Sequence, residues 1–145
     1  MKSAGAPRTG WIIFLVITIA WLALFYDRGF NQFDEGNAIY PAVRILNGDL
    51  PHSDYYTLYT GGVFYFYAFL FKVFGVHIGV VRVALGLLIG LTSVMTVRIA
   101  GRLVPGFWAF VPGLVFLFAF PINPTAFHSW YAVILGTAAL LSLIR

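Results

Sequence analysis

Cysteine is absent from this sequence, and charge is scarce: Asp, Glu, Lys and Arg make up 10% of its 145 residues. Without cysteine there is no disulfide framework, no thiolate metal site and no redox argument about compartment. With so little charge the chain cannot clothe itself in the polar surface that a water-soluble domain carries. The alternating and amphipathic patterns of a soluble core are also missing. Instead, the hydrophobic residues, 61% of the chain, come in blocks that must face lipid or one another. Neither an internal repeat nor a low-complexity linker interrupts them.

The few charges are segregated. All five carboxylates (Asp27, Asp34, Glu35, Asp49, Asp54) fall in one stretch, and seven of the nine basic residues (Lys2, Arg8, Lys72, Arg82, Arg98, Arg102, Arg145) lie outside it. A nucleic-acid partner is excluded, because binding one requires Lys and Arg clustered on a solvated face, whereas these are single residues at the ends of apolar blocks. The expected class is an all-α integral membrane protein.

Lys2 and Arg8 precede the apolar run Trp11 to Tyr26. That run ends in Phe25-Tyr26-Asp27-Arg28 without a small-residue cleavage pattern, and it approaches the ~17 residues that a span minimally needs, so it reads as an uncleaved first span. The basic N-terminus then stays in the cytoplasm and residues 27–57 form an acidic extracytoplasmic loop. Inside this loop, Ala38, Ala42 and Ile45 fall at helical spacing and Asn47-Gly48 supplies a stop, which predicts a surface helix over 35–46. Pro41 argues against continuity there, because a mid-helix proline removes a hydrogen bond.

The block 58–74 mixes apolar residues with Tyr59, Tyr65, Tyr67, Gly61, Gly62 and Lys72. Tyrosine favours headgroup depth, so the block reads as an interfacial helix, with a crossing span as the alternative. Further spans are expected at 78–97, 105–120 with Pro112 as a kink, and 130–145. If 58–74 does not cross, Arg98, Arg102 and Arg145 all face the cytoplasm and the positive-inside rule is met. The expectation is therefore four spans plus interfacial helices, or five spans if it does cross. Gly86 and Gly90 form a small-xxx-small pair suited to close helix packing.

Asp34 and Glu35 sit just beyond the first span. Adjacent carboxylates do not share a helix face, so one can enter a site as a general base while the other makes structural bonds. The plainer reading of Asp34 is the N-cap of the surface helix. Tyr55, Tyr56, Tyr59, Tyr65 and Tyr67 can stack on a sugar, line a lipid groove or anchor at the interface. His52 and His77 have no second ligand at useful spacing, and His128 stands alone.

The order of features is a positive start, one span, Phe33-Asp34-Glu35-Gly36, a helix ending Arg44-Ile45-Leu46-Asn47-Gly48, Asp54-Tyr55-Tyr56, Tyr59-Thr60-Gly61-Gly62, Leu70-Phe71-Lys72-Val73-Phe74-Gly75 and Val81-Arg82-Val83. It resembles the N-terminal module of the polyprenyl-phosphate-sugar-dependent membrane glycosyltransferases of the GT-C fold, the superfamily of protein O-mannosyltransferases and the aminoarabinose transferase acting on lipid A. The resemblance implies inverting transfer of a sugar from a polyprenyl-phosphate donor to an extracytoplasmic acceptor. Asp34 would be the base and Glu35 its structural or acceptor-binding neighbour. Arg82 and Lys72 would meet the departing phosphate, while Tyr55 and Tyr59 are candidates for binding substrate by the stacking chemistry of their rings.

Two features depart from the family pattern. Many relatives carry a lysine-proline pair where this chain reads Tyr59-Thr60-Gly61. Relatives that use a divalent metal place a second aspartate in the next outer loop, where this chain has Asn123, His128 and Ser129; no cofactor is expected. Members of the superfamily are several times longer. The resemblance thus implies an opening module, completed by the remainder of a split enzyme or by a larger membrane complex. The readings from other classes are a small non-catalytic structural subunit of such a complex and a lipid-binding protein without chemistry.

Overall fold

The computed structural model describes residues 6–25, 34–57, 59, 61–119 and 129–143, without the side chains of Phe25, Asp34, Ser129 and Trp130. The described residues form an all-α fold with no strand. Its helices are α1 (Arg8–Phe25), α2 (Asp34–Leu46), α3 (Gly62–Phe74), α4 (Ile78–Leu103), α5 (Val111–Ala119) and α6 (Ser129–Leu143), with a 3-10 helix at Gly106–Phe110 leading into α5. The expected outer turn at Pro121 to His128 and the start of the acidic loop at 27–33 lie outside the described residues.

Local chemistry sets most of the boundaries. Gly48 has φ +97°, its N–H donates to the Ile45 carbonyl at 3.0 Å, and the Asp49 N–H donates to the Arg44 carbonyl at 3.1 Å. This pair of reverse bonds is the Schellman motif, and it ends α2 at the expected Asn47-Gly48. Pro41 does not break α2, which runs on through it to Leu46. Pro41 is buried, and its carbonyl accepts a 3.1 Å bond from the Tyr55 hydroxyl.

α4 opens on His77, whose Nδ1 accepts the Gly79 N–H at 3.0 Å and so satisfies one of the amides that a helix start leaves unpaired. It continues six residues beyond the expected end at 97. Arg98 is exposed, and no breaker occurs before Pro105-Gly106. Pro112 does not kink a longer helix. It lies in the first turn of α5, where its missing N–H costs no bond.

α4 is the central element, packed against α1, α3, α5, α6 and the 3-10 helix. Leu85 and Ile89 meet Leu117 of α5, with Ile17 and Trp21 of α1 and Tyr131 of α6 around them. Gly86 and Gly90 lie against α1: a methyl on Gly90 would stand 3.3 Å from the Thr18 methyl, so the small pair sets this approach. Toward the other end of α4, Val97 packs with Phe14 and Phe110, and Trp11 meets Phe110 edge-on with ring centroids 5.3 Å apart.

The contacts of Leu22 with Gly86 and of Phe14 with Val97 make α1 and α4 antiparallel. The start of α1 is thereby brought to the Arg98 and Arg102 end of α4. α2 and α3 pack on each other and on Val81 at the opposite end, through Ala38, Ala42, Tyr67, Ala68 and Phe71.

One helix among the described residues, α4, is long and apolar enough to cross a membrane by length and composition; α1, α3, α5 and α6 are shorter apolar helices. At 1.5 Å per residue, α4 is about 39 Å long and α3 about 20 Å.

Candidate functional site

Glu35 lies in the first turn of α2 and Arg82 in the second turn of α4. The Arg82 Nε donates to Glu35 Oε1 at 2.8 Å and Nη2 to Oε2 at 3.0 Å, a bidentate fork whose side chains are 1% and 5% exposed for Glu35 and Arg82. The two charges are withdrawn from water and neutralise each other at the junction of α2 with α4. The planar fork also fixes direction as well as distance, which a lysine in place of Arg82 would not.

Tyr67 of α3 is fully buried within electrostatic reach of Glu35, and its hydroxyl is joined to that of Tyr131 on α6 by a 2.5 Å bond. The junction thus draws on α2, α3, α4 and α6. Asp34 is the first residue of α2, directly before the clamped Glu35; its side chain lies outside the described residues, so neither the base nor the N-cap reading of it is visible.

The opposite face of α2 carries a second assembly. Arg44 stacks on Tyr40 and Tyr55, its Cζ lying 5.8 Å and 5.0 Å from their ring centroids. Its Nη1 donates to the Tyr40 hydroxyl at 2.9 Å, and its Nε donates to Asp49 Oδ2. These hydrogen bonds, the one to Tyr40 first, hold the guanidinium pKa above its ordinary range. Burial, and then the field of Tyr65, push the Tyr55 phenol up. Asn37, Tyr40, Pro41, Tyr55, Tyr56, Thr57 and Tyr59 enclose a cleft of about 180 Å³.

Two apolar grooves flank the Val83–Leu87 ridge of α4. One, of about 230 Å³, runs between Leu22, Ala23 and Gly86 with Arg82 in its wall. The other, of about 520 Å³, is lined by Leu70, Phe74, Val80 and Ala84, with His77 at its edge.

The structure therefore sorts the candidate residues into separate places. Glu35 and Arg82 come together, Tyr55 and Tyr59 share the cleft across α2, and Lys72 stands exposed in the last turn of α3, near the free carbonyls of that helix end. No group of three or more His, Asp or Glu residues placed to hold a metal occurs among the described residues.

Sequence reasoning named both members of the buried pair without pairing them, and it missed Tyr131, Tyr40 and Asn37. The Tyr40–Arg44 spacing of four was a usable signal; nothing in the sequence marked Tyr131 as the partner of Tyr67. Comparisons with protein-family models, characterised proteins and solved structures found no match to this chain.

Proposed function

We propose that this chain is the opening membrane module of an inverting glycosyltransferase that uses a polyprenyl-phosphate-linked sugar, with Asp34 as the base. The observation that carries the reading is the buried Glu35–Arg82 fork. It pins the first turn of α2, and with it Asp34, beside an apolar groove that has Arg82 in its wall. A lipid-linked donor needs both an apolar path for its tail and a fixed carboxylate at the attacking hydroxyl. Glu35 turns both oxygens to Arg82, and Arg82 gives Nε and Nη2 to Glu35, so in this reading Glu35 takes the structural of its two expected roles and the pair positions Asp34.

Membrane embedding is supported by the distribution of side chains. Glu35, Arg82, Thr18, Thr92 and Ser93 are buried, while Ile12, Ile19, Leu87, Leu135 and Leu143 are each at least 65% exposed. Charges inside and large aliphatic groups outside suit lipid rather than water as the solvent. The antiparallel pairing of α1 with α4 supports the four-span arrangement. If α3 crossed, α1 and α4 would run parallel, whereas in the structure Arg8, Arg98 and Arg102 gather at one end and Glu35 at the other. At about 20 Å, α3 is also shorter than the ~30 Å hydrocarbon core. The acidic loop is then extracytoplasmic and the N-terminus cytoplasmic.

The test is transfer of a labelled sugar from a polyprenyl-phosphate donor by the native assembly in liposomes. Asp34→Asn should lower it by about 10²–10⁴-fold; unchanged transfer would overturn the reading. A non-catalytic subunit is the second reading, favoured by the exposed aliphatic residues Val133, Leu135, Leu140 and Leu143 along α6. It predicts tight co-purification with a larger membrane protein and indifference to Asp34.

A further inference from the structure

The cleft on the far side of α2 has features of a built site. Its walls are rigid for reasons unrelated to any ligand. The Tyr55 hydroxyl is tied to the Pro41 carbonyl at 3.1 Å, the Tyr55 carbonyl accepts the His52 N–H at 3.0 Å, and Tyr40 is held by Arg44. Tyr56, by contrast, is 84% exposed at the rim. Tyrosines that merely anchor a protein at an interface project singly toward the headgroups. Here Tyr40, Tyr55, Tyr56 and Tyr59 converge on one concavity, together with Asn37 and Thr57.

The lining selects the ligand by exclusion. Among the described residues, no carboxylate or cation lines the cleft. Arg44, which backs it, is neutralised by Asp49 and already occupies the rings of Tyr40 and Tyr55. A quaternary ammonium group seeking an aromatic cage would thus meet a resident cation. An anion finds no free charge among the described lining residues. What remains is a neutral molecule with an apolar face for the rings and hydroxyls for the amide and phenols, which is the surface of a pyranose. At about 180 Å³ the cleft falls below the ~300–1,000 Å³ of sites that enclose drug-sized ligands, leaving room for one ring.

We infer that the Asn37–Tyr40–Tyr55–Tyr56–Tyr59 cleft binds a single neutral pyranose unit, with Tyr56 as its stacking platform. The cleft stands on its own geometry; its use as the subsite for the sugar of the transfer reaction rests on the transferase reading.

The experiment is saturation-transfer difference NMR on the chain in nanodiscs, with a panel of neutral methyl hexopyranosides and with choline as the cationic comparison. The expected result is saturation of the ring C–H protons of at least one hexoside, reduced at least fivefold by Tyr56→Ala, with no signal from choline. Tyr56 is exposed, so its truncation leaves the helical circular dichroism unchanged, and Asn37→Ala provides a second variant with the same expected loss. Absence of saturation across the panel, a signal insensitive to both substitutions, or a choline signal that Tyr56→Ala removes would each overturn the inference. Loss of transfer in Asp34→Asn with binding retained separates the fate of this inference from that of the transferase reading.

Discussion

Glu35 and Arg82, 47 positions apart in the chain, hold each other through two hydrogen bonds of 2.8 and 3.0 Å in a setting almost closed to solvent. Such a pair specifies where α2 docks more than it adds net stability, because desolvating two charges offsets most of their attraction. Removing one partner takes the bidentate counter-charge from the other. Glu35→Gln or Arg82→Met is expected to cost about 3–5 kcal/mol, read as a lowered unfolding midpoint in detergent. The double variant should recover much of that loss, and a double-mutant cycle that came out additive would contradict the pairing.

Tyr67 and Tyr131 join α3 to α6 by their hydroxyls. Tyr67→Phe should cost about 1 kcal/mol, and Tyr131→Phe about the same. Because one bond is lost either way, the double variant should lie close to either single one. Thermal unfolding of the three proteins checks this.

Gly113 lets α5 approach α4. A Cβ there would stand 3.0 Å from the Ser93 carbonyl oxygen and 3.2 Å from the Phe14 ring, and it would also strike Val97. Gly113→Ala should therefore destabilise by about 1–3 kcal/mol, despite alanine's better helix propensity. Gly62, with no described neighbour within 4 Å of its would-be Cβ, should accept alanine without that loss.

Tyr55 gives an alkaline signature. Its phenol pKa is raised in the fold, mainly by burial, so the folded chain holds that proton more tightly than the unfolded one. The contribution to stability is complete below the unfolded value of about 10 and is lost as pH rises past it toward the folded value. Tyr55→Phe removes this alkaline decline along with the bond to Pro41, as denaturation followed across that range should show.

The orientation of α3 predicts a labelling pattern. A cysteine introduced next to the α4 start, as Val76→Cys, should react with an impermeant thiol reagent from the extracytoplasmic side in intact cells. One at Arg102→Cys should react only after permeabilisation. The reverse pattern at residue 76 would mean that α3 crosses.

Much of this architecture was legible where the signal is local. Asn47-Gly48 announced the Schellman end of α2, and Pro105-Gly106 the break after α4. Gly86 and Gly90 announced a close helix contact. Boundaries failed where a local rule was overridden. Arg98 looked like the end of an apolar block, yet a helix ends at a breaker and not at a charge. Pro41 looked like an interruption, yet α2 absorbs it.

The site was legible only as a set of candidates. Glu35, Arg82, Tyr55 and Tyr59 each stood out by residue type, but which of them meet depends on how α2 folds back on α4. Partner choice across 47 or 64 residues leaves no trace in a single sequence. Lys72 illustrates the converse: its type fits a phosphate ligand, and its place is an exposed helix end.

The most direct measurement is the rate of sugar transfer from a polyprenyl-phosphate donor by the native assembly in liposomes, comparing wild type, Asp34→Asn and Glu35→Gln at saturating donor. Loss of a general base should lower kcat by about 10²–10⁴-fold in Asp34→Asn with little change in donor KM. Glu35→Gln should reduce kcat less, because it loosens the position of Asp34 without removing the base. Wild-type transfer rates in Asp34→Asn would contradict the account.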